Sequence, residues 1–117
     1  MSYDLDYKDN KGNLFDLGEV MEEGGTYAVG NTKTTLNITY ISSWYYYMFL
    51  DKENGIRWLH GKKGKNCINK LKKAIKPFKN EKPYGDYWAQ TPWNCVKPLK
   101  ILLNWCEKFP EGVFDGD

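Results

Sequence analysis

The residues best suited to chemistry are cationic and close together. Gly61-Lys62-Lys63-Gly64-Lys65 sets two glycines and three ammonium groups just ahead of a helical pattern. A turn of this kind can present backbone amides and positive charge to a phosphate. It is not a nucleoside-triphosphate loop, because the G-x-x-x-x-G-K-[ST] spacing is absent and Asn66 stands where Ser or Thr would bind magnesium. The same five residues read equally well as a solvated turn whose lysines add solubility.

A second set is polar and aromatic. Asn31, Asn37, Thr39 and Tyr40 surround one strand pattern, while Trp88, Thr91, Trp93 and Asn94 gather at the start of a long helical pattern. Amides reading a base or ribose edge, rings stacking and helix-start amides holding phosphate would together make a nucleotide pocket. By residue chemistry alone Thr91 and Asn94 are capping residues first and the tryptophans core residues first. Catalysis finds less support. A nucleophile–base pair would have to use His60, the one histidine, and no Ser or Cys motif points to it. Asp115 and Asp117 could pair or hold a metal, but acidic tails are usually solvated. Cys67, Cys95 and Cys106 form no C-x-x-C pair, so buried free thiols are expected rather than a zinc site. The expectation is a protein without enzymatic turnover, metal or cofactor.

Charge is segregated along the chain. Gly55 to Lys82 holds Arg57 and nine lysines against Glu81 alone, a balance of +9 in a chain whose total is +2. Met1 to Asn54 carries −5 and Pro83 to Asp117 carries −2. A sided field of this kind bears on partners more than on fold. The basic segment could follow a nucleic-acid backbone, with Arg57 and Trp58 adding stacking, but the acidic remainder and a pI of 8.3 disfavour that reading. No window has the roughly 18 apolar residues of a membrane span. The acidic start MSYDLDYKDN is unlike a secretory signal, so a cytoplasmic protein without a membrane partner is expected. The Asn37-Ile38-Thr39 sequon is then accidental.

These residues need elements to position them. Tyr3, Leu5 and Tyr7 alternate with Asp4, Asp6 and Lys8, the period of a half-buried strand. Asn10 to Asn13 is turn chemistry, and LFDLGEVME can return as the second strand of a hairpin. TYAVG is a short strand, and TKTTLNITY is a strong one with Leu36, Ile38 and Tyr40 on one face. ISSWYYYMFLDKENG, apolar all round, tips toward a helix by Ser42 or Ser43 at its start and Asn54-Gly55 at its end. Ile68, Leu71, Ile75 and Phe78 stripe a cationic helix over 64–78. Lys79 to Tyr84 reads as a loop. A long helix follows, capped by Thr91, with Pro92 at its first position and Cys95, Leu99, Leu102, Cys106 and Phe109 on one face. Pro98 should bend it, and VFDGD can form a closing strand. The sum is one α+β domain over residues 1–117: an N-terminal antiparallel sheet of about four strands packed against two or three C-terminal helices.

The chain also resembles a family of small accessory proteins encoded by phages and prophages of Firmicutes-type bacteria. The likeness rests on Gly25-Thr26-Tyr27 with Val29-Gly30, Leu36 to Tyr40, Gly55-Ile56-Arg57 with Leu59 and Gly61-Lys62, Asp86 to Ala89, Thr91 with Asn94, and Gly112 to Asp117. Ile41-Ser42-Ser43 departs from the Asn-Tyr-Ser usual after Tyr40, as does Cys95 from a usual small residue. The resemblance implies a phage role in evading host defence and implies no reaction. Together with the residues it suggests a protein that sequesters a small phosphorylated, nucleotide-type immune signal. Lys62, Lys63 and Lys65 would neutralise phosphate, while Asn37, Tyr40, Trp88, Thr91 and Asn94 would line the rest of the site. The alternative is a protein–protein inhibitor of a host defence nuclease, and a weak nucleic-acid binder comes third. Homo-oligomerisation is left open.

Overall fold

The computed structural model describes residues 2–18, 27–29, 32–39, 42–78 and 92–116. It is an α+β arrangement of one antiparallel sheet and three α-helices. The strands are β1 (Ser2–Lys8), β2 (Tyr27–Val29), β3 (Thr35–Thr39) and β4 (Val113–Gly116), in the spatial order β2-β3-β1-β4. Among the described residues the N-terminal part therefore contributes three strands, residues 19–22 of the expected returning strand lying outside them, and the fourth strand of the sheet comes from the C-terminal end. β1 is central. It pairs Leu5 with Leu36 and Tyr3 with Ile38 on β3, and Tyr7 with Phe114 on β4. The alternation read from the sequence is what the sheet uses: Tyr3, Leu5, Tyr7, Leu36, Ile38 and Phe114 are buried, while Asp4 and Asp115 face solvent.

The expected hairpin is corrected. Asp9 does close a turn, accepting hydrogen bonds from the amides of Lys11 and Asn13. The returning segment 14–17 nevertheless forms no strand with β1, only single bridges from Leu14 to Lys8 and from Asp16 to Lys33. Thr34 is the reason. Its carbonyl accepts the Tyr7 amide at 2.9 Å, and its buried hydroxyl donates to the Tyr7 carbonyl at 2.6 Å while accepting the Phe15 amide at 3.0 Å. The groups of Tyr7 that a hairpin would pair are thereby taken, and segment 14–17 lies along 32–34 instead.

The helices are α1 (Ser43–Phe49), α2 (Ile68–Ile75) and α3 (Pro92–Lys108). α1 forms where the sequence was ambiguous, but it stops at Leu50, short of Asn54-Gly55. Asp51 turns the chain there by accepting the Asn54 amide at 2.9 Å. Ser42 precedes the helix without capping it, its hydroxyl accepting the Cys95 thiol at 3.0 Å instead. The cationic helix is α-helical only over its middle, with 3₁₀ turns at Gly64–Asn66 and Lys76–Phe78 on either side. α3 runs without interruption across Pro98 and buries the predicted Cys95, Leu99, Leu102 and Cys106 together with Val96 and Trp105. Thr91, Tyr40 and the loop after Lys79 lie outside the described residues.

The buried side chains form one continuous cluster joining sheet and helices. Tyr7 sits at its centre, against Phe114 at 4.5 Å, Phe15 at 5.5 Å and Trp105 at 6.4 Å between ring centroids. The polar handles of three buried tyrosines are spent on backbone. Tyr7 donates to the carbonyl of Phe109, Tyr45 to that of Ala74 at 2.8 Å and Tyr46 to that of Cys95 at 3.0 Å. The indole N–H of buried Trp105 finds no partner among the described residues.

Candidate functional site

The Gly61–Lys65 turn is built into the sheet. The amides of Gly61, Gly64 and Lys65 donate to the carbonyls of Phe114, Gly112 and Pro110, at 2.8, 2.8 and 2.9 Å. In return the Phe114 amide donates to the Lys62 carbonyl at 3.0 Å, and Lys63 bridges Val113. This turn therefore covers the open edge of β4, a place where unpaired backbone would otherwise invite association. With the Lys62 amide on the Leu59 carbonyl at 3.0 Å, four of its amides are spent and do not form the expected phosphate cradle. Its charge is offset in part, because Lys63 and Lys65 share the one Glu111 carboxylate, at 3.4 and 3.2 Å. Lys65 first and Lys63 second hold that carboxyl below its ordinary range. The two glycines have local causes: Gly61 adopts φ +78°, and a Cβ on buried Gly64 would lie 1.7 Å from the Tyr7 hydroxyl.

Other predicted site residues are dispersed. Lys62 lies 4.8 Å over the Trp58 ring, whose centroid also has Lys70 at 4.3 Å. Asn37 sits on the outer face of β3, where its amide donates to Asp4 at 2.5 Å. By strand order it is three strand spacings across the sheet from the Gly61–Lys65 turn, roughly 14 Å before the offset along the strands is added. Asn94 is buried near the start of α3, on the other side of the sheet. Tyr40, Trp88 and Thr91 fall outside the described residues. The described members of the expected pocket thus share no concavity.

Two grooves do concentrate charge. On the outer sheet face Asp4, Asp6, Thr35, Asp115 and Gly116 line an acidic depression of about 670 Å³. Its carboxylates already have donors: Asp6 takes the Thr35 hydroxyl at 2.5 Å and Asp115 takes Lys8 at 2.8 Å. His60 stands beside it as an edge group, its Nδ1 accepting the Gly116 amide at 2.9 Å with Asp115 at 3.7 Å. No hydroxyl or thiol among the described residues is hydrogen-bonded to His60, so a nucleophile–base pair is not assembled there. Nor do three or more potential metal ligands cluster among the described residues.

The other groove, about 750 Å³, lies between the end of α1 and the outer face of α2. Phe49 and Leu50 form its apolar side, and Asn69, Lys70, Lys72, Lys73 and Lys76 its polar side. Asn69, Lys72, Lys73 and Lys76 follow i, i+3, i+4, i+7 spacing and so share one helix face. Lys70 is held by Asp51 at 3.1 Å and Lys72 approaches Glu107 at 3.8 Å. Lys73 and Lys76 have no ion-pair partner among the described residues. In the sequence these lysines were legible as one cationic helix; their spacing was visible, but the apolar wall opposite them depends on how α1 docks.

All three thiols are free and buried. Burial pushes Cys67 up to about 11 and Cys106 up to about 12, which removes them as nucleophiles near neutral pH. No described helix is long and apolar enough to cross a membrane. In comparison with known proteins, no protein-family model, curated protein or solved structure matches the chain.

Proposed function

We propose that this protein acts by binding without turnover, as a phage-type accessory protein that sequesters a small phosphorylated ligand of the nucleotide class. We place the seat in the α1–α2 groove. One observation carries this reading: among the described residues Lys73 and Lys76, unlike Lys70 and Lys72, reach no carboxylate, and they line the groove together with Phe49. A groove of about 750 Å³ lies within the ordinary range for small-ligand sites. Ammonium groups at positions 73 and 76 would meet phosphate, Phe49 would take the base, and Asn69 offers both a donor and an acceptor to base or sugar. Lys63 and Lys65, tied to Glu111, are left out of the site. Sequestration needs affinity alone, which suits a chain whose only histidine and buried thiols are spent on structure.

Calorimetry and thermal shift across linear and cyclic nucleotides test the reading. Binding should occur, should be lost in a Lys73→Glu/Lys76→Glu variant and should persist in Lys63→Ala/Lys65→Ala. No nucleotide binding, or binding indifferent to positions 73 and 76, refutes it. The second reading, inhibition of a host defence nuclease, is favoured by the acidic outer sheet face of Asp4, Asp6 and Asp115. Carboxylates displayed on a flat sheet suit a cationic nucleic-acid channel. Retention of a nuclease from host extract that is abolished by Asp4→Asn/Asp6→Asn would support it.

A further inference from the structure

Four lysines line the α1–α2 groove, and their surroundings sort them. Lys70 is fixed, held by Asp51 at 3.1 Å and lying 4.3 Å from the centroid of the Trp58 ring. Asp51 is itself anchored by the Asn54 amide at 2.9 Å. Lys72 is loosely engaged, 3.8 Å from Glu107 in a pair whose side chains are 58 and 50% exposed. An exposed pair at that distance contributes little and yields to a stronger anion. Lys73 and Lys76 reach no carboxylate among the described residues. Lys76 follows Lys72 by four residues and Lys73 by three, and it keeps helical angles, φ −48° and ψ −44°, so the helical spacing holds across the end of α2. Such spacings put Cβ atoms about 5–6 Å apart, within reach of one compact anion for all three flexible side chains. The groove wall is fixed in place as well. The Tyr45 hydroxyl donates to the Ala74 carbonyl at 2.8 Å, tying α1 to the turn that carries Lys73 and Lys76, and Phe49 packs on Phe78 at 5.7 Å between ring centroids.

Charge decides which phosphate such a triad fits. A phosphodiester, as in a cyclic nucleotide, carries one negative charge, and in a cyclic dinucleotide sugars separate the two phosphates. A terminal phosphate carries about 1.5 to 2 charges near pH 7, and each phosphate joined to it adds another in the same small volume. Three converging ammonium groups match the second distribution. Magnesium, the usual counterion of such a chain, is held by protein carboxylates together with the phosphates. Among the described residues no carboxylate lines the groove. We infer, on the footing of the nucleotide reading, that the groove takes the linear di- or triphosphate chain of a nucleotide in its magnesium-free form, with Lys72, Lys73 and Lys76 neutralising the charge that the metal otherwise would.

The test is calorimetry on the full chain at fixed ionic strength, with ADP, ATP, cyclic AMP, cyclic di-AMP and inorganic tripolyphosphate as probes, in EDTA and again in excess magnesium. A hydrogen bond to a charged group is worth about 1.5–3 kcal/mol, so ADP and ATP in EDTA should bind at least about tenfold more tightly than either cyclic probe. Magnesium should weaken ADP binding. Lys72→Gln should weaken it too, while leaving any cyclic AMP binding where it was. Lysines in a last turn also offset the helix dipole, so affinity rather than melting temperature is the readout. Cyclic probes bound as tightly as ADP, an ADP affinity unchanged or raised by magnesium, or indifference to Lys72→Gln overturns the inference and leaves the nucleotide reading in place. Tripolyphosphate bound more tightly than ATP assigns the groove to phosphate chains without a base and overturns it as well. Binding of no nucleotide, or nucleotide binding indifferent to Lys73→Glu/Lys76→Glu, removes the nucleotide reading and the inference together.

Discussion

Gly64→Ala tests what the Gly61–Lys65 turn is for. If the turn serves as an anion cradle, a methyl group at Gly64 should alter ligand affinity and leave folding nearly unchanged. The structure assigns a different consequence. The new Cβ would lie 1.7 Å from the Tyr7 hydroxyl, 2.8 Å from its Cζ and 3.2 Å from the Cys106 Cα. Tyr7 has little room to retreat, since Gly112 borders the same ring closely enough that a Cβ there would lie 2.5 Å from Cζ. Overpacking of a filled core costs about 1–3 kcal/mol. Displacing the Tyr7 hydroxyl from the Phe109 carbonyl, which keeps the Gly112 amide at 3.1 Å, leaves that hydroxyl short of its acceptor, for about 1–3 kcal/mol more. The expected loss is therefore about 2–6 kcal/mol, a large share of the roughly 5–15 kcal/mol available to a domain. Urea unfolding followed by circular dichroism would measure it. Tyr7→Phe removes the atom of closest approach but not the ring, so the cost of Gly64→Ala should fall by about 1–2 kcal/mol in that background. Gly61→Ala is the control: φ +78° with nothing within 4 Å predicts only the left-handed backbone cost of about 1–2 kcal/mol. A Gly64→Ala protein within about 0.5 kcal/mol of the parent, or a cost unchanged by Tyr7→Phe, would refute the packing explanation.

Further expectations concern Thr34, acid and the thiols. Thr34→Val keeps the shape but strips the Phe15 amide of its acceptor and the Tyr7 carbonyl of a donor, so it should cost about 2–4 kcal/mol in the same unfolding assay, with Thr34→Ser recovering much of it. Asp9 and Asp51 are lowered chiefly by backbone amides, Glu111 by Lys65 and Lys63, and Asp115 by Lys8. Depressed carboxyls contribute stability that is present above their ordinary values, 3.8 for Asp and 4.5 for Glu, and is lost as pH falls through the folded values. Melting temperature should thus hold between about pH 5 and 8 and drop below about pH 4, with the lysine-dependent share shrinking in high salt; a rise on acidification would contradict the assignment. A chromogenic disulfide reagent at about pH 8 should label no thiol of the native protein and all three after denaturation, given burial of Cys67, Cys95 and Cys106. Rapid labelling of the native chain would place at least one thiol at the surface.

The elements that sequence reading recovered are those whose pattern is local. Tyr3-Leu5-Tyr7 and Leu36-Ile38 declare a buried face by alternation, and Leu99-Leu102-Cys106 by helical spacing, because a strand or helix turns each residue through a constant angle. The segment 14–17 looked like the other half of a hairpin because its competitor, the Thr34 hydroxyl, belongs to a different part of the chain. The helix at Ser43–Phe49 could be inferred, but with apolar residues on every side nothing local distinguished Tyr45 and Tyr46, which are buried, from Trp44, Tyr47 and Met48, which are not. Segregated charge and the striped cationic helix were therefore settled by the amino-acid order alone. Which of its cations stay unpaired was decided only by the tertiary structure. The segment around β4 takes the amides of Gly61, Gly64 and Lys65, Glu111 is shared by Lys63 and Lys65, Asp51 takes Lys70, and among the described residues Lys73 and Lys76 reach no carboxylate in the groove they line with Phe49. Periodicity is a property of neighbours along the chain, whereas ion pairing and edge pairing depend on residues that only folding brings together.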